Sequence, residues 1–451
     1  MEKLTAFVQE HIGDDLTRLI LDRKKWPDID MDLAVSCIQS RRKLKGKVQE
    51  WFSNPELIFP VGLSAEQCSS TATGIYKSGL ALKIADGEPF RLADLTGGLG
   101  VDSWYFSKKA EQVWYHEMQE KLCTAAEHNF QKLNAENIIV RNIISTPETI
   151  DGILSEARPD IVYMDPARRG EGGKKVFLIE ECTPDVLTLK EQIFKHCRHI
   201  LLKLSPMADI TMACSRLGTT CREVHIVATG GECKELLIWM DREWSGEYTI
   251  TAVELPSDYP DMSPATFSFS GSEEKIATSS TRPRNDVMLS SRAESSLSSR
   301  AESSLSSRAE SSLSSRAESS LSSRAESRDL FLFEPGKALM KAGCFNMIAN
   351  RFGLCKLGVS THYYVTESPD KADELKPYGK VYMILSVQPL DKRSIKAAGA
   401  AYPRAEVTAR NIPMDTETLR KKLGVASGDD AHIFGLKSDN VGNLLLITRR
   451  Y

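Results

Sequence analysis

RLADLTGGLGVD, residues Arg91 to Asp102, is the stretch on which the fold turns. Its apolar beginning reads as a strand ending at Asp94, Gly97, Gly98 and Gly100 read as a loop, and a helix opens near Asp102. Glycine lets a backbone turn sharply and come close to a ligand, so this pattern predicts the cofactor loop of an open α/β sheet. Two further strand ends point to the same rim. Glu117 follows the hydrophobic run Val113 to His116, 23 residues after Asp94, where a doubly wound domain places the carboxylate that grips ribose hydroxyls. The run Asp160 to Met164 then delivers Asp165-Pro166-Ala167-Arg168-Arg169.

Apolar runs at Arg91–Leu95, Val113–His116, Asn137–Asn142, Asp160–Met164 and His199–Leu204 alternate with helical stretches such as Glu117–Leu133. That alternation predicts a mostly parallel sheet with helices on both faces. Two more apolar runs, Val224–Ala228 and Lys234–Met240, are joined by the short turn Thr229-Gly230-Gly231. They form a hairpin-like end where a second dinucleotide-binding half would continue strand, helix, strand. A dinucleotide fingerprint G-x-G-x-x-G also fits poorly, because Ser103 occupies its last glycine slot.

Asp94-x-Thr96-x-Gly98-x-Gly100 resembles instead the acidic-x-G-x-G-x-G loop of class I S-adenosylmethionine-dependent methyltransferases, with Thr96 replacing the first glycine. Taken together, DLTGGLGVDS, MDPARRG, LLKLSP, FEPGKALMKAG and a basic C-terminal module resemble a narrower group, the proposed RNA methyltransferases that carry a THUMP-like C-terminal domain. The resemblance covers nearly all of the chain outside one repeat tract. It implies a Rossmann-like methyltransferase domain, S-adenosyl-L-methionine as cofactor and RNA as the partner. Ala167 departs from the Asp-Pro-Pro form of the acceptor motif and leaves the acceptor atom open.

Within this frame Asp94, Thr96, Gly98, Gly100, Asp102, Glu117 and Asn142 are the expected cofactor-binding residues. Asp94 is expected to bond the donor's amino group or the loop's own amides, Glu117 the ribose diol, and Asn142 the adenine amino group. Asp165, Pro166 and Arg168 form the expected catalytic corner: the carboxylate holds an acceptor N–H, Pro166 fixes the chain direction, and the arginine forks suit phosphate or carboxylate. Arg169, Lys203 and Ser205 are expected to bind substrate. No cysteine lies where a covalent intermediate would need one, and the preferred acceptor is a purine amine nitrogen.

The chain has 451 residues, 41% hydrophobic and 26% charged, the composition of ordinary globular domains. No apolar run reaches the roughly 18–20 residues that span a bilayer, which predicts no membrane association and a cytoplasmic address. The ten cysteines are scattered without a C-x-x-C pair, which predicts reduced thiols and no metal. Residues 1–85 read as an N-terminal helical domain, 86–275 as the methyltransferase domain, 276–327 as a disordered linker, and 328–451 as a small α+β THUMP-like module. The third helix is expected over roughly Asp30–Phe52, with Arg41, Arg42, Lys43, Lys45 and Lys47 on a solvated face or an RNA-facing stripe. Ser64-x-x-Gln67 is expected to cap a helix through about Tyr76.

The linker contains four tandem copies of SRAESSLS from Ser291 to Ser322; one leucine per octad walks about 80° around a helix, so no apolar stripe forms. From Arg328 onward, 19 Lys plus Arg face 13 Asp plus Glu, a net +6 within an overall −3. Such a module attracts phosphates, and Arg420, Lys421 and Lys422 are its candidate contacts. Two other readings fit the same residues: a methyltransferase acting on a protein or small molecule, and a non-catalytic RNA-binding protein that keeps the fold.

Overall fold

The computed structural model describes residues 2–168, 179–271 and 329–451. Arg169 and the octad repeats lie outside the described residues. Contacts divide the chain into two compact units, one of Met1–Thr229, Cys233–Thr251 and Ser257–Ser263, the other of Gly230–Glu232, Ala252–Pro256 and Pro264–Tyr451.

The first unit opens with helices α1 (Glu2–Glu10), α2 (Leu16–Leu21), α3 (Met31–Leu44), α4 (Gln49–Ser53), α5 (Gly62–Gln67) and α6 (Thr71–Ile84). Two sequence expectations fail here. α3 stops at Leu44, because Gly46 turns the chain at φ +71 and α4 starts afresh at Gln49. Ser64 lies inside the short α5; the capping box belongs to Ser70, whose side chain accepts from Thr73 N while Ser70 N donates to Thr73 Oγ1. A threonine completes the reciprocal pair that a glutamine was expected to make.

Strands β1 (Arg91–Asp94), β2 (Gln112–Glu117), β3 (Ile138–Asn142), β4 (Ile161–Met164), β5 (His199–Leu204), β6 (Cys221–Thr229), β7 (Glu232–Asp241), β8 (Thr249–Leu255) and β9 (Ala265–Ser270) form one sheet among the described residues, in the order β9-β8-β6-β7-β5-β4-β1-β2-β3. β3, β2, β1, β4 and β5 run parallel, and β7 lies antiparallel to β5. The order reverses at β1, the position where open α/β sheets bind ligands. Helices α7 (Val101–Ser107), α8 (Glu120–Lys132), α9 (Ile150–Ala157), α10 (Val186–His196) and α11 (Ile210–Leu217) make the crossovers. Gly230 and Gly231, at φ +60 and +77, supply the two left-handed residues of the tight β6–β7 turn.

The N-terminal helices share one core with the sheet: Trp51 and Phe59 pack in the same cluster as Trp104, Tyr115 and Phe130. Register fixes the rim. Asp94 pairs with both Tyr115 and Tyr163, so Glu117 and Asp165 each stand two residues beyond it on the flanking strands.

The second unit has a seven-stranded sheet of β10 (Phe331–Pro335), β11 (Cys355–Lys356), β12 (Tyr364–Thr366), β13 (Gly379–Pro389), β14 (Arg404–Arg410), β15 (Ala426–Ser438) and β16 (Gly442–Arg450), ordered β11-β12-β10-β13-β16-β15-β14. Only β14–β15 is a parallel pair among the neighbours with a known register. Neighbouring residues of β15 and β16 feed opposite cores, Ile433 and Leu445 on one side and Phe434 and Leu446 on the other, so both faces of these strands are covered. β15 was not expected from the sequence; its first five residues, ASGDD, carry no apolar alternation. Helix α12 (Lys392–Ala401) and helix α13 (Thr416–Leu423) pack on the core that contains Ile433 and Leu445.

Candidate active site

The loop after β1 is shaped from beneath. Tyr115, on β2, donates its hydroxyl to Gly98 O at 2.6 Å, and a Cβ on Gly97 would lie 2.2 Å from the Tyr115 ring. A Cβ on Gly100 would lie 2.7 Å from Phe130, and Gly98 and Gly100 take φ of +55 and +89. The loop is glycine-rich because packing and backbone conformation both exclude side chains.

Above it lies a cavity of about 260 Å³ at the carboxyl ends of the strands. Asp94, Thr96, Gly98, Gly100, Asp102, Glu117 and Asp165 all line it. Asp94 turns to the loop itself, accepting from Thr96 N at 3.0 Å and from Ser103 Oγ at 2.6 Å. Burial pushes its carboxyl up to about 7 against those bonds. Glu117 accepts from Gly98 N at 2.9 Å through one oxygen and from Gln119 N at 2.8 Å through the other, which locks the carboxylate's orientation. Thr96 Oγ1 accepts from Asp165 N at 2.7 Å and ties the acceptor corner to the glycine loop. Asp102 accepts from Tyr163 at 2.7 Å and Ser69 at 3.0 Å. Burial alone would raise its carboxyl; Lys77 and Lys203 hold it below its ordinary value instead.

Other expected residues are not brought to the cavity wall. Asn142 is exposed and donates its amide to Glu117 O at 2.9 Å; Ile143, Ile144 and Ser145 line the cavity in its place. Pro166 is buried away from the wall, and Ala167 faces it. Ser205 accepts from Met207 N and stays off the lining. Lys203, expected to bind substrate, lies behind the wall with its ammonium 2.5 Å from Asp165 Oδ2. Burial would lower its pKa, but Asp165, Asp102 and Glu235 raise it, so it is a cation. The backbone of Arg168 pairs with Cys182 in a two-stranded ribbon.

One wall of the cavity carries no motif in the sequence. Ser64, Gln67, Cys68 and Ser69, from α5 and the turn before α6, close the cavity from the N-terminal side. The only hint in the sequence is the polar character of this turn between two helices. The expected basic stripe has another purpose. Arg41 is 4% exposed and donates to the carbonyls of Phe52, Asn54, Pro55 and Leu57; Arg42 reaches Ile12 O and Asp14 O; Lys43 pairs with Glu66; Lys47 reaches Ala65 O and Glu66 O. Arg41 is used inside the fold, while Arg42 and Lys43 stay exposed and, like Lys47, fasten neighbouring segments.

The residues fit S-adenosylmethionine. Glu117 presents a fixed carboxylate for a diol, and Met118, Leu122 and Ile144 give the apolar surface that a purine ring needs. Among the described residues no group of His, Cys, Asp or Glu could hold a metal ion, and no helix is long and apolar enough to cross a membrane.

Residues 331–372 match a ferredoxin-like domain model and residues 379–450 a THUMP domain-like model. A crystal structure of a proposed methyltransferase from Porphyromonas gingivalis W83 superposes with a TM-score of 0.75 at 26% identity, covering 99% of this chain and 97% of that one. This chain is a methyltransferase-fold protein with a THUMP-like C-terminal domain. Smaller partial matches include an rRNA methylase from Streptococcus thermophilus (TM-score 0.28, 13% identity, 37% of this chain and 96% of that one) and a proposed RNA methyltransferase from Pyrococcus horikoshii (TM-score 0.22, 19% identity, 29% and 58%). No curated protein matches the sequence.

Proposed function

We propose that this methyltransferase-fold protein transfers a methyl group from S-adenosylmethionine to RNA, at a base nitrogen. The observation that carries the reading is the single cavity in which the glycine loop, Glu117 and Asp165 meet. When bound, S-adenosylmethionine supplies an activated methyl group on a sulfonium, so the chain's own work is to bind, orient and remove a proton. Glu117 holds a ribose diol, and the loop amides and Asp94 shape the floor beneath it. Asp165 keeps Oδ2 on Lys203 and turns Oδ1 to the acceptor amine, where it accepts one N–H and takes that proton as the C–N bond forms.

The Lys203 ammonium beside Asp165 disfavours a protonated protein amine as acceptor and favours a neutral nitrogen such as that of a base. RNA is supported further by the THUMP-like match and by the net +6 of residues 328–451. In this reading the C-terminal module holds RNA while the cavity performs the transfer. The test is transfer of labelled methyl from S-adenosylmethionine to total RNA of cells lacking the protein. Label in an rRNA or tRNA fraction, absent with Asp165→Ala, is expected; no label above that control rejects the function.

A further inference from the structure

Five charged side chains lie end to end beneath the acceptor corner. Lys203 Nζ is 2.5 Å from Asp165 Oδ2 and 4.0 Å from Asp102 Oδ2. Lys77 Nζ is 3.3 Å from Asp102 Oδ1 and donates to both oxygens of Glu235, at 2.7 and 2.8 Å. Carboxylate and ammonium therefore alternate through Glu235, Lys77, Asp102, Lys203 and Asp165. The five come from separate places in the chain: β7, α6, α7, β5 and the loop after β4. Side-chain exposure is 3% for Glu235, 0% for Lys77, 12% for Asp102 and for Lys203, and 40% for Asp165. Only the last member opens broadly to solvent. Ser69 bridges the middle, accepting from Lys77 at 2.9 Å and donating to Asp102 at 3.0 Å.

Stability is a weak reason for such a series. Taking ions out of water costs about as much as their attraction returns, and an apolar pair of similar volume often stabilises a core better. What the series does supply is direction. Asp165 is held at its backbone N–H by Thr96 and at Oδ2 by Lys203, so its remaining oxygen has one place to point. Lys203 has a choice of two carboxylates, Asp165 and Asp102, and the nearby Lys77 occupies Asp102 from the other side. Removing Lys77 would free Asp102 to draw Lys203 away.

We propose that Lys203, Asp102, Lys77 and Glu235 are positioning residues, a buried series of alternating charges that sets the orientation of the Asp165 carboxylate from the N-terminal helices. This rests on the role given to Asp165 above. Lys77 and Glu235 touch no bound molecule in this account and act through their neighbours.

The test replaces the innermost pair together, Lys77→Met with Glu235→Leu, so that no lone charge is left buried. In a crystal structure of this double variant, Lys203 is expected to move toward Asp102 and Asp165 to populate more than one rotamer. Single-turnover methyl transfer to total RNA is expected to fall 10- to 100-fold, with affinity for S-adenosylmethionine within about threefold of wild type. An unmoved Asp165 in one rotamer, or an unchanged rate, overturns the proposal. Should the double variant not fold, Lys203→Met decides: a lower kcat at unchanged KM for RNA, partly restored in Lys203→Arg, is expected, while a raised KM at unchanged kcat makes Lys203 a phosphate contact instead. A wild-type protein that methylates no RNA refutes the function itself, whereas the crystallographic readout still judges the positioning.

Discussion

At the residue scale the glycine loop and the acid that grips it decide what the cavity can hold. Gly97→Ala forces a methyl group into the Tyr115 ring, which is expected to cost about 1–3 kcal/mol of stability and to weaken S-adenosylmethionine binding, measured by denaturation and calorimetry. Asp94 gives a pH signature. Burial raises its folded carboxyl to about 7, above the unfolded value near 3.8, so the fold favours the protonated form. Its contribution to stability is present below about pH 4 and is lost as pH rises through 7. Asp94→Asn is therefore expected to melt higher than wild type at pH 8 and to lose that advantage toward pH 4; parallel melting curves at all pH values contradict the burial argument.

Most of the rim was legible because strand ends and glycines are marked in the sequence, and three apolar runs of the right spacing place Asp94, Glu117 and Asp165 together. Asn142 ends β3 where the sequence places it, but its amide turns back to Glu117 O and the next residues, Ile143 to Ser145, line the cavity, a side-chain direction that a strand boundary alone does not reveal. Lys77 was illegible altogether, since a lysine in a helix reads as a solvent position until the tertiary partners Glu235 and Asp102 are known.

At the scale of elements, the segment after α3 shows how charge in a sequence misleads. Arg41 carries a loop of four carbonyls that no backbone ladder serves. Arg41→Leu leaves them unpaired inside the N-terminal core and is expected to cost about 3 kcal/mol or more, read by chemical denaturation, whereas Lys45→Leu on the exposed turn should change stability by less than about 0.5 kcal/mol. Nothing in the run of basic residues distinguishes the two before folding. In the second unit β15 and β16 form an antiparallel pair inside the sheet, and His432 sits on that pair, stacked 4.0 Å from Phe434 and bonded to Thr408. Burial pushes its imidazole down to about 4, below the unfolded value near 6.5. The unfolded chain then binds the proton first, so this contribution is present above pH 6.5 and is lost as pH falls toward 4. His432→Gln is expected to flatten the acid limb of the melting-temperature profile over that window.

At the scale of the whole molecule, the parallel order of the first sheet and the α+β character of the second unit were readable from alternation and from the resemblance. The wall given by Ser64, Gln67, Cys68 and Ser69 was not, because it depends on how α5 and the turn before α6 fold back over the loop that follows β1, which no local pattern marks. The charge asymmetry makes a separate prediction. Lys421 and Lys422 are exposed at the end of α13, and replacing both by alanine in the full chain is expected to weaken RNA binding and reduce the slope of log affinity against log salt by about 1.4–1.8, with S-adenosylmethionine affinity unchanged. An unaltered slope removes these two residues from the RNA contact.

On the proposed function, the cavity at the reversal of strand order takes a methyl donor rather than a dinucleotide. Calorimetric titration of the full-length protein with S-adenosylmethionine and with NAD distinguishes the two ligands. One S-adenosylmethionine bound per chain, no saturable NAD binding, and at least tenfold weaker S-adenosylmethionine binding in Glu117→Gln are expected. Saturable binding of NAD alone, or a Glu117→Gln protein that binds S-adenosylmethionine as tightly as wild type, would contradict this reading.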